Sequence, residues 1–232
     1  MRVLVLRPQH DADYTAKLLQ MRGHEAIIAP IIEIEPQKFN VQDLPTITAI
    51  LATSANAFRY LPNDFPIILK QQFCFTVGSH TLEAAKKAGF VNLRTASGDA
   101  PSLVKMVSAN VPKEAYLLYI AGQPRKPELE DTLQKLGYSL FICEAYKAEA
   151  VQSLPEAAIK ALLQGVDVIL HFSRRSAETA VILFEQAGLT KEAQSAKHIC
   201  LSDDVSHVLC QYPYVLSAAK PEQSAMLDLI ET

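Results

Sequence analysis

The feature that most constrains the fold is the alternation of short apolar runs with amphipathic segments along the whole chain. The runs are rich in β-branched and aliphatic residues and cover residues 3–6, 25–29, 47–52, 73–77, 116–120, 138–143, 166–172 and 198–201. Strands buried on both faces of a sheet are uninterrupted apolar strings, and the helices between them imply right-handed crossovers between parallel strands. The pattern therefore predicts an α/β fold with parallel sheets.

The chain nearly repeats itself, which divides it into two related halves. A strand, a helical segment, a glycine and a second strand follow one another in residues 3–29, and the same succession returns in residues 117–143. A further similarity relates residues 50–58 to residues 169–177. Self-similarity of this kind is typical of architectures built from repeated units, so the sequence predicts two domains of related fold.

Two segments mark where the chain passes between these domains. Residues 30–36 and 144–155 are extended and charged, contain prolines and lack helical periodicity. We interpret them as two crossings between domains. This interpretation predicts a discontinuous α/β domain, formed by residues 1–36 and 150–232, and a continuous α/β domain formed by residues 38–148.

Composition and charge exclude several classes of protein. The 232 residues are 49% hydrophobic and 20% charged, as in ordinary globular chains. No apolar run approaches the roughly 20 residues that span a bilayer, and the opening segment turns polar too soon for an export signal. We therefore expect a cytoplasmic protein without a membrane segment. The net charge of −3 provides no basic field that would attract a nucleic acid.

The sequence indicates no cofactor site. The cysteines, at positions 74, 143, 200 and 210, show no Cys-x-x-Cys spacing, and the histidines lack the spacing of metal ligands. The glycine-rich loops that hold nucleotide phosphates are absent as well. The residues therefore support neither a zinc site nor a redox pair of cysteines, and they lack the usual cradle for a nucleotide cofactor.

Hydroxyls, glycines and cations follow the predicted strands, at the edge of the sheet where α/β proteins bind their ligands. These residues are Arg7, Thr53, Ser54, Gly78, Ser79, Thr81, Gly122, Arg125, Ser173 and Ser176. Helix N-termini in such loops present free N–H groups and a partial positive charge, which suit carboxylates or phosphates. Arg7 and Arg125, each in a loop of a repeated unit, are the better candidates for contact with an anion. Helix capping explains Ser54, Ser79 and Ser173 as well as ligand binding does.

Taken in order, these residues resemble the uroporphyrinogen-III synthase family over essentially the whole chain. The similarity rests on Arg7 with Pro8, the Thr-Ser-Ala-Asn block at 53–56, the Val-Gly-Ser-His-Thr block at 77–81, Gly122 with Arg125, Tyr146, and Phe172 and Ser173 with Ser176. The last repeat departs from the family pattern, because Ser-Asp-Asp-Val at 202–205 stands where the family usually has Gly-x-x-Thr. Asp203 and Asp204 would repel a polycarboxylate, so we expect them to cap the following helix instead.

The resemblance implies two flavodoxin-like domains joined by a two-stranded linker, with the substrate in the cleft between them. The implied activity is that of a lyase in haem biosynthesis: hydroxymethylbilane loses water, passes through a spirocyclic intermediate and closes to the tetrapyrrole with its last pyrrole ring inverted. The resemblance implies no metal and no organic cofactor. It makes Tyr146 the catalytic residue, because a phenol there can donate a hydrogen bond to the departing hydroxyl group.

The same resemblance assigns substrate binding to the polar residues at the strand ends. Hydroxymethylbilane carries carboxylates on every ring, so many N–H and hydroxyl donors would share its binding. Thr81 matches a family hydroxyl that faces the cleft, and a monomer with this substrate as its partner is the default expectation. Two alternatives stay open: Tyr146 as an aromatic residue that bridges a hinge, and the whole chain as a non-catalytic cytosolic module whose two lobes close on a small anion.

Overall fold

The uninterrupted apolar runs of the sequence form the buried strands of two sheets in the computed structural model, which describes residues 1–41, 44–97 and 99–231. The strands within each sheet are mostly parallel, and helices connect them. The predicted α/β class with parallel sheets is confirmed.

Strands and helices alternate along most of the chain. The strands are β1 (Arg2–Val5), β2 (Glu25–Ile28), β3 (Ile32–Pro36), β4 (Ile47–Ala52), β5 (Phe73–Val77), β6 (Asn92–Ala96), β7 (Tyr116–Gln123), β8 (Ser139–Ala150), β9 (Val168–His171), β10 (Lys197–Cys200) and β11 (Val215–Ser217). The helices are α1 (Gln9–Met21), α2 (Asn56–Arg59), α3 (Ile67–Lys70), α4 (Gly78–Lys87), α5 (Ala100–Asn110), α6 (Glu128–Lys135), α7 (Glu156–Gln164), α8 (Arg174–Gln186), α9 (Thr190–Ser195), α10 (Asp203–Ser206) and α11 (Gln223–Asp228). A 3₁₀ turn, His207–Leu209, follows α10.

Unit 1, one of the two units into which the chain divides, consists of Met1–Glu33 and Glu149–Thr232. Its five-stranded sheet has the order β11-β10-β9-β1-β2, and all neighbouring strands in it are parallel. Val5 of β1 packs in one buried cluster with Leu170 and Ile199. Strand β1 thus comes from the start of the chain and pairs with β9, which comes from its second half.

Unit 2 is the continuous segment Ile34–Ala148, and its six-stranded sheet has the order β3-β8-β7-β4-β5-β6. Side chains alternate between the two faces of a strand. Ile50 and Leu118 accordingly belong to one buried cluster, while their chain neighbours Leu51 and Leu117 belong to another. Both faces of this sheet are covered, which explains why its inner strands β4, β5 and β7 are largely uninterrupted apolar runs.

The boundaries between the two units fall within β3 and β8, and these strands are neighbours in the six-stranded sheet. The N–H of Gln37 donates to the carbonyl of Ala145 at 2.9 Å, and the N–H of Val151 donates to the carbonyl of Ile31 at 3.1 Å. Residue numbers rise along one strand as they fall along the other, so β3 and β8 run antiparallel. The segments interpreted as crossings are therefore largely strand.

Candidate active site

A cavity of about 610 Å³ lies where the strands of unit 2 end. Thr53 follows β4, Val77 ends β5, and Gly122 lies near the end of β7, so the cavity opens at the carboxyl edge of the parallel strands. This is the edge at which the sequence predicts a ligand site. A volume of this size is typical of cavities that hold small molecules.

Tyr146 and Gly122 line the cavity and pack closely against each other. The two residues are register partners in β8 and β7, and Tyr146 is only 9% exposed. A Cβ atom added at Gly122 would lie 2.2 Å from Cζ of the Tyr146 ring. The phenol therefore lies directly over the backbone of β7, a place that only glycine leaves open. Its ring also packs against that of Tyr60, with 6.1 Å between centroids.

A second phenol, that of Tyr119 in β7, reaches the same cavity and was not predicted from the sequence. Its hydroxyl lies 2.9 Å from the Thr53 hydroxyl, and either group can donate in this hydrogen bond. Burial raises the pKa of the Tyr119 phenol above its ordinary value, although the hydrogen bond with Thr53 opposes this change. The group is therefore a neutral donor and acceptor at neutral pH.

Arg125, which follows β7, is held between two carboxylates. Its Nε donates to Glu130 Oε1 at 2.5 Å, and its Nη1 donates to Glu144 Oε1. Burial acts to lower the pKa of the guanidinium, but the hydrogen bonds to Glu144 and Glu130 outweigh burial and raise it. Arg125 is therefore a fixed cation whose charge is already compensated within unit 2.

The family model described as "Uroporphyrinogen-III synthase HemD" matches residues 13–228, nearly the whole chain. The chain belongs to the uroporphyrinogen-III synthase family. No curated protein matches the chain significantly.

Two solved structures of synthases have the same fold as this family member. Uroporphyrinogen-III synthetase from Helicobacter pylori gives a TM-score of 0.69 at 14% identity and covers 99% of this chain and 98% of its own. A mutant uroporphyrinogen III synthase from the extremely thermophilic bacterium Thermus thermophilus gives 0.54 at 18% identity, with 100% and 97% covered. At these identities the likeness shows the fold alone.

Of the site residues predicted for this uroporphyrinogen-III synthase family member, four line the cavity. They are Thr53, Gly122, Arg125 and Tyr146. The other predicted residues of unit 2 lie nearby in the chain but do not line it. Ser54 Oγ accepts from the N–H of Asn56 at 3.2 Å, but the N-cap of α2 is Ala55, so the capping interpretation of Ser54 is wrong.

The segment after β5 places its predicted residues on α4. Gly78 begins this helix with a φ of +75°, and Ser79 lies in its first turn. The N-cap position belongs to Val77, so the capping interpretation of Ser79 is wrong. Thr81 is buried at 5% exposure, one turn into the helix.

Arg7, Ser173 and Ser176 belong to unit 1. Ser173 is the N-cap of α8 and accepts from the N–H of Ser176 at 3.2 Å, so the capping interpretation of Ser173 is confirmed. The Ser176 hydroxyl donates back to the Ser173 carbonyl at 3.0 Å. Arg7 donates to Thr15 at 3.2 Å and to Gln223 at 3.0 Å, and its guanidinium lies 4.0 Å from the ring centroid of Phe172.

The acidic segment that departs from the family pattern begins α10. Asp203 and Asp204 lie in the first turn of this helix, where carboxylates face the positive end of its dipole. Neither is the N-cap, a position that Ser202 occupies, so the expectation that they cap the helix is wrong. Asp204 Oδ1 instead accepts from Arg174 Nη1 at 3.1 Å.

Within residues 1–41, 44–97 and 99–231, no group of three histidine, cysteine or acidic side chains is placed to bind a metal ion. Over the same described residues, no helix combines the length and apolarity that crossing a membrane requires.

Proposed function

We propose that this protein is a uroporphyrinogen-III synthase, a lyase that converts hydroxymethylbilane to uroporphyrinogen III and water without a cofactor. The family match supports this function for the chain as a whole. The single observation that carries it to a site is Tyr146, whose ring lies over Gly122 at a cavity that Arg125 also lines. This is the tyrosine to which the resemblance assigns the chemistry.

The proposed chemistry breaks the C–O bond of the terminal hydroxymethyl group, and the oxygen leaves with a proton as water. Tyr146 donates a hydrogen bond to the departing oxygen. The electron-deficient carbon then bonds to the substituted α-carbon of the last ring, which gives the spirocyclic intermediate. The bond between that α-carbon and the neighbouring methylene breaks, and the freed methylene bonds to the other α-carbon, so that the ring is inverted in the closed macrocycle. The proton lost from that second α-carbon restores the pyrrole and balances the proton that left with the water. Because the bilane can also close by itself without inversion, the enzyme must chiefly hold one folded conformation of the chain.

Binding is proposed to be distributed over many weak contacts. The carboxylates of the bilane would meet hydroxyl and N–H donors at helix starts, including the hydroxyls of Thr81, Ser173 and Ser176 and the guanidinium of Arg7. That the substrate lies in a cleft between two domains, with β3 and β8 as their linker, rests on the resemblance and stays a prediction. We further propose a cytoplasmic location, since all four cysteines are free thiols, as is usual in a reducing compartment. A monomer is the default proposal for its oligomeric state.

The experiment that tests this function adds hydroxymethylbilane to the purified protein, oxidises the products and separates the type III from the type I isomer. We expect type III to dominate, at a rate that rises with protein concentration. If only type I accumulates at the rate seen in buffer, the enzymatic function is wrong and the anion-binding module takes its place.

Replacing Tyr146 tests its catalytic role. We expect Tyr146→Phe to lower kcat roughly 10- to 100-fold, at or below the usual range for general acid catalysis, because a phenol is a weak acid at neutral pH. Tyr60→Phe is the matched control, since its ring contacts that of Tyr146 but its hydroxyl does not line the cavity. An unchanged kcat in Tyr146→Phe, measured with an unchanged unfolding temperature, would remove Tyr146 from the mechanism.

A further inference from the structure

We propose that Tyr119, paired with Thr53, is a substrate-positioning residue that accepts a hydrogen bond from a pyrrole N–H of the bilane. The inference rests on the proposed function and extends it, since it names a further residue of the site and the part of the substrate that it holds. Four features of unit 2 support it: the packing of the Tyr119 ring, the hydrogen bond of its hydroxyl, the charges around the cavity and the apolar wall.

The packing of Tyr119 fixes its ring and leaves the hydroxyl end at the cavity. Tyr119 belongs to the buried cluster on one face of the sheet, together with Leu103 and Leu133, whereas Tyr146 belongs to the cluster on the other face. Both nevertheless line the same cavity, because it opens at the edge where the two faces meet. A ring held this way loses little conformational freedom when its hydroxyl binds a ligand.

The hydrogen bond between Tyr119 and Thr53 leaves both hydroxyls able to form further hydrogen bonds with a ligand. Each hydroxyl has one proton to donate and two lone pairs to accept with. The 2.9 Å bond between them uses one proton and one lone pair. The pair therefore has lone pairs and one proton left, and it can accept from an N–H group without breaking its own bond. Burial raises the pKa of the Tyr119 phenol, so its proton is retained at neutral pH.

The charges around the cavity favour a neutral hydrogen-bond donor of the ligand over a carboxylate of the ligand beside the hydroxyl pair. Two carboxylates, Asp99 and Glu128, line the cavity together with one ammonium group, that of Lys126. The guanidinium of Arg125 is already paired with two further carboxylates, so negative charges still outnumber positive ones. Another carboxylate beside the hydroxyl pair would therefore meet an excess of negative charge. A pyrrole N–H is a neutral donor, and the carboxylates of the same ring extend from its opposite side, so the N–H can approach the hydroxyl pair while the carboxylates point away from it.

The remaining wall of the cavity suits a flat aromatic ring. Val77 and Leu129 contribute apolar side chains, and Tyr146 contributes the phenol that lies over Gly122. A pyrrole ring between these groups would bury its carbon atoms and turn its N–H to the hydroxyl pair. Its neighbouring hydroxymethyl group would then lie within the same cavity as Tyr146, which links positioning by Tyr119 to the proposed chemistry.

The test measures steady-state kinetics and the isomer ratio with hydroxymethylbilane. We expect Tyr119→Phe and Thr53→Val each to raise KM about 3- to 10-fold, as is usual for loss of one neutral hydrogen bond, with a smaller change in kcat and a larger fraction of the type I isomer. Thr53→Ser keeps the hydroxyl and should stay near the wild-type KM. Since the two hydroxyls act as one hydrogen-bonded pair, the double variant should raise KM little more than the single variant with the larger effect.

The matched control is Tyr138→Phe. Tyr138 belongs to the same buried cluster as Tyr119, but its hydroxyl donates to the carbonyl of Val111 at 2.9 Å and does not line the cavity. Tyr138→Phe should lower the unfolding temperature and leave KM and the isomer ratio unchanged. If Tyr119→Phe and Thr53→Val behave like this control, Tyr119 is only a structural residue and the inference is wrong.

The outcomes separate the inference from the function on which it rests. A wild-type protein that produces type III, with variants of unchanged KM and isomer ratio, overturns the inference alone. A wild-type protein that produces only type I overturns both. Should Tyr119→Phe not fold, Thr53→Val decides the question, because Thr53 follows the strand and is only half-buried.

Discussion

At the scale of single residues, Gly122 is constrained by a neighbouring side chain and not by its own backbone. Its φ lies outside the left-handed region, so an alanine there would meet no backbone strain. The ring of Tyr146 occupies the space in which a Cβ atom would lie. The identity of residue 122 is thus a direct consequence of where the catalytic candidate packs.

We therefore expect Gly122→Ala to displace the Tyr146 ring, to destabilise the protein by about 1–3 kcal/mol, as overpacked cores do, and to reduce kcat at least as much as Tyr146→Phe. Chemical denaturation and the isomer assay measure the two effects. In a Tyr146→Ala background the same substitution should leave the free energy of unfolding almost unchanged, because the ring that clashes with the new Cβ atom is absent. An equal cost in both backgrounds would mean that the ring is not the obstacle.

Single residues also show how far a sequence can predict a site. Thr53, Gly122 and Arg125 were predicted because each follows a predicted strand, Tyr146 was predicted from the family resemblance, and all four line the cavity. Tyr119 was not predicted, since within an apolar run its phenol cannot be told from a core aromatic. The carboxylate partners of Arg125 were missed for a similar reason: Glu144 approaches it through the pairing of β7 with β8, which the sequence does not specify.

At the scale of elements, the start of α8 combines a cap with a proposed binding residue. We expect Ser173→Ala to lower the free energy of unfolding by about 1 kcal/mol, because the N–H of Ser176 loses its acceptor, and Ser173→Asp to restore it, since aspartate caps equally well. Ser173→Asp should still raise KM for hydroxymethylbilane, because its carboxylate would repel those of the substrate. A stable Ser173→Asp variant with the wild-type KM would show that Ser173 caps α8 and does not bind the substrate.

Most strands were predicted from their apolar runs, but β3, β6 and β11 were not. Asn92–Ala96 (β6) and Val215–Ser217 (β11) are edge strands of their sheets with few buried residues, so neither forms the apolar run by which strands were found. Ile32–Pro36 (β3) alternates isoleucine with glutamate and ends in proline, which suggested an extended connection. Its pairing with β8 depends on residues more than a hundred positions away, which no local pattern reveals.

At the scale of the whole molecule, stability should depend on pH through two buried histidines of unit 1. His171 and His198 stack with 5.1 Å between ring centroids, and Nε2 of the first lies 3.0 Å from Nδ1 of the second. Burial lowers the pKa of His198 to about 4, and burial together with the charge of its neighbour lowers the pKa of His171 well below its ordinary value. The folded state therefore holds both rings neutral.

Because the unfolded chain binds these protons near pH 6.5 and the folded chain does not, stability should be complete above pH 6.5 and should decline as the pH falls toward 4. The shift of the His198 pKa alone corresponds to about 3 kcal/mol. Denaturation in urea between pH 7 and pH 4.5 measures the decline. His198→Gln should flatten it, whereas His10→Gln, at an exposed position of α1, should not; equal slopes in all three proteins would exclude the histidine pair as the cause.

The sheet order of unit 1 also determines how long one edge of β1 stays unpaired during translation. Strand β1 leaves the exit tunnel first, yet its partner β9 begins only at Val168, after every residue of Ile34–Ala148 has been made. Unit 2 can therefore finish folding during translation before β9 is available to pair with β1. The edge of β1 that later pairs with β9 thus stays unpaired until residues 168–171 have been made, and a chaperone that covered this edge would protect the nascent chain during that time.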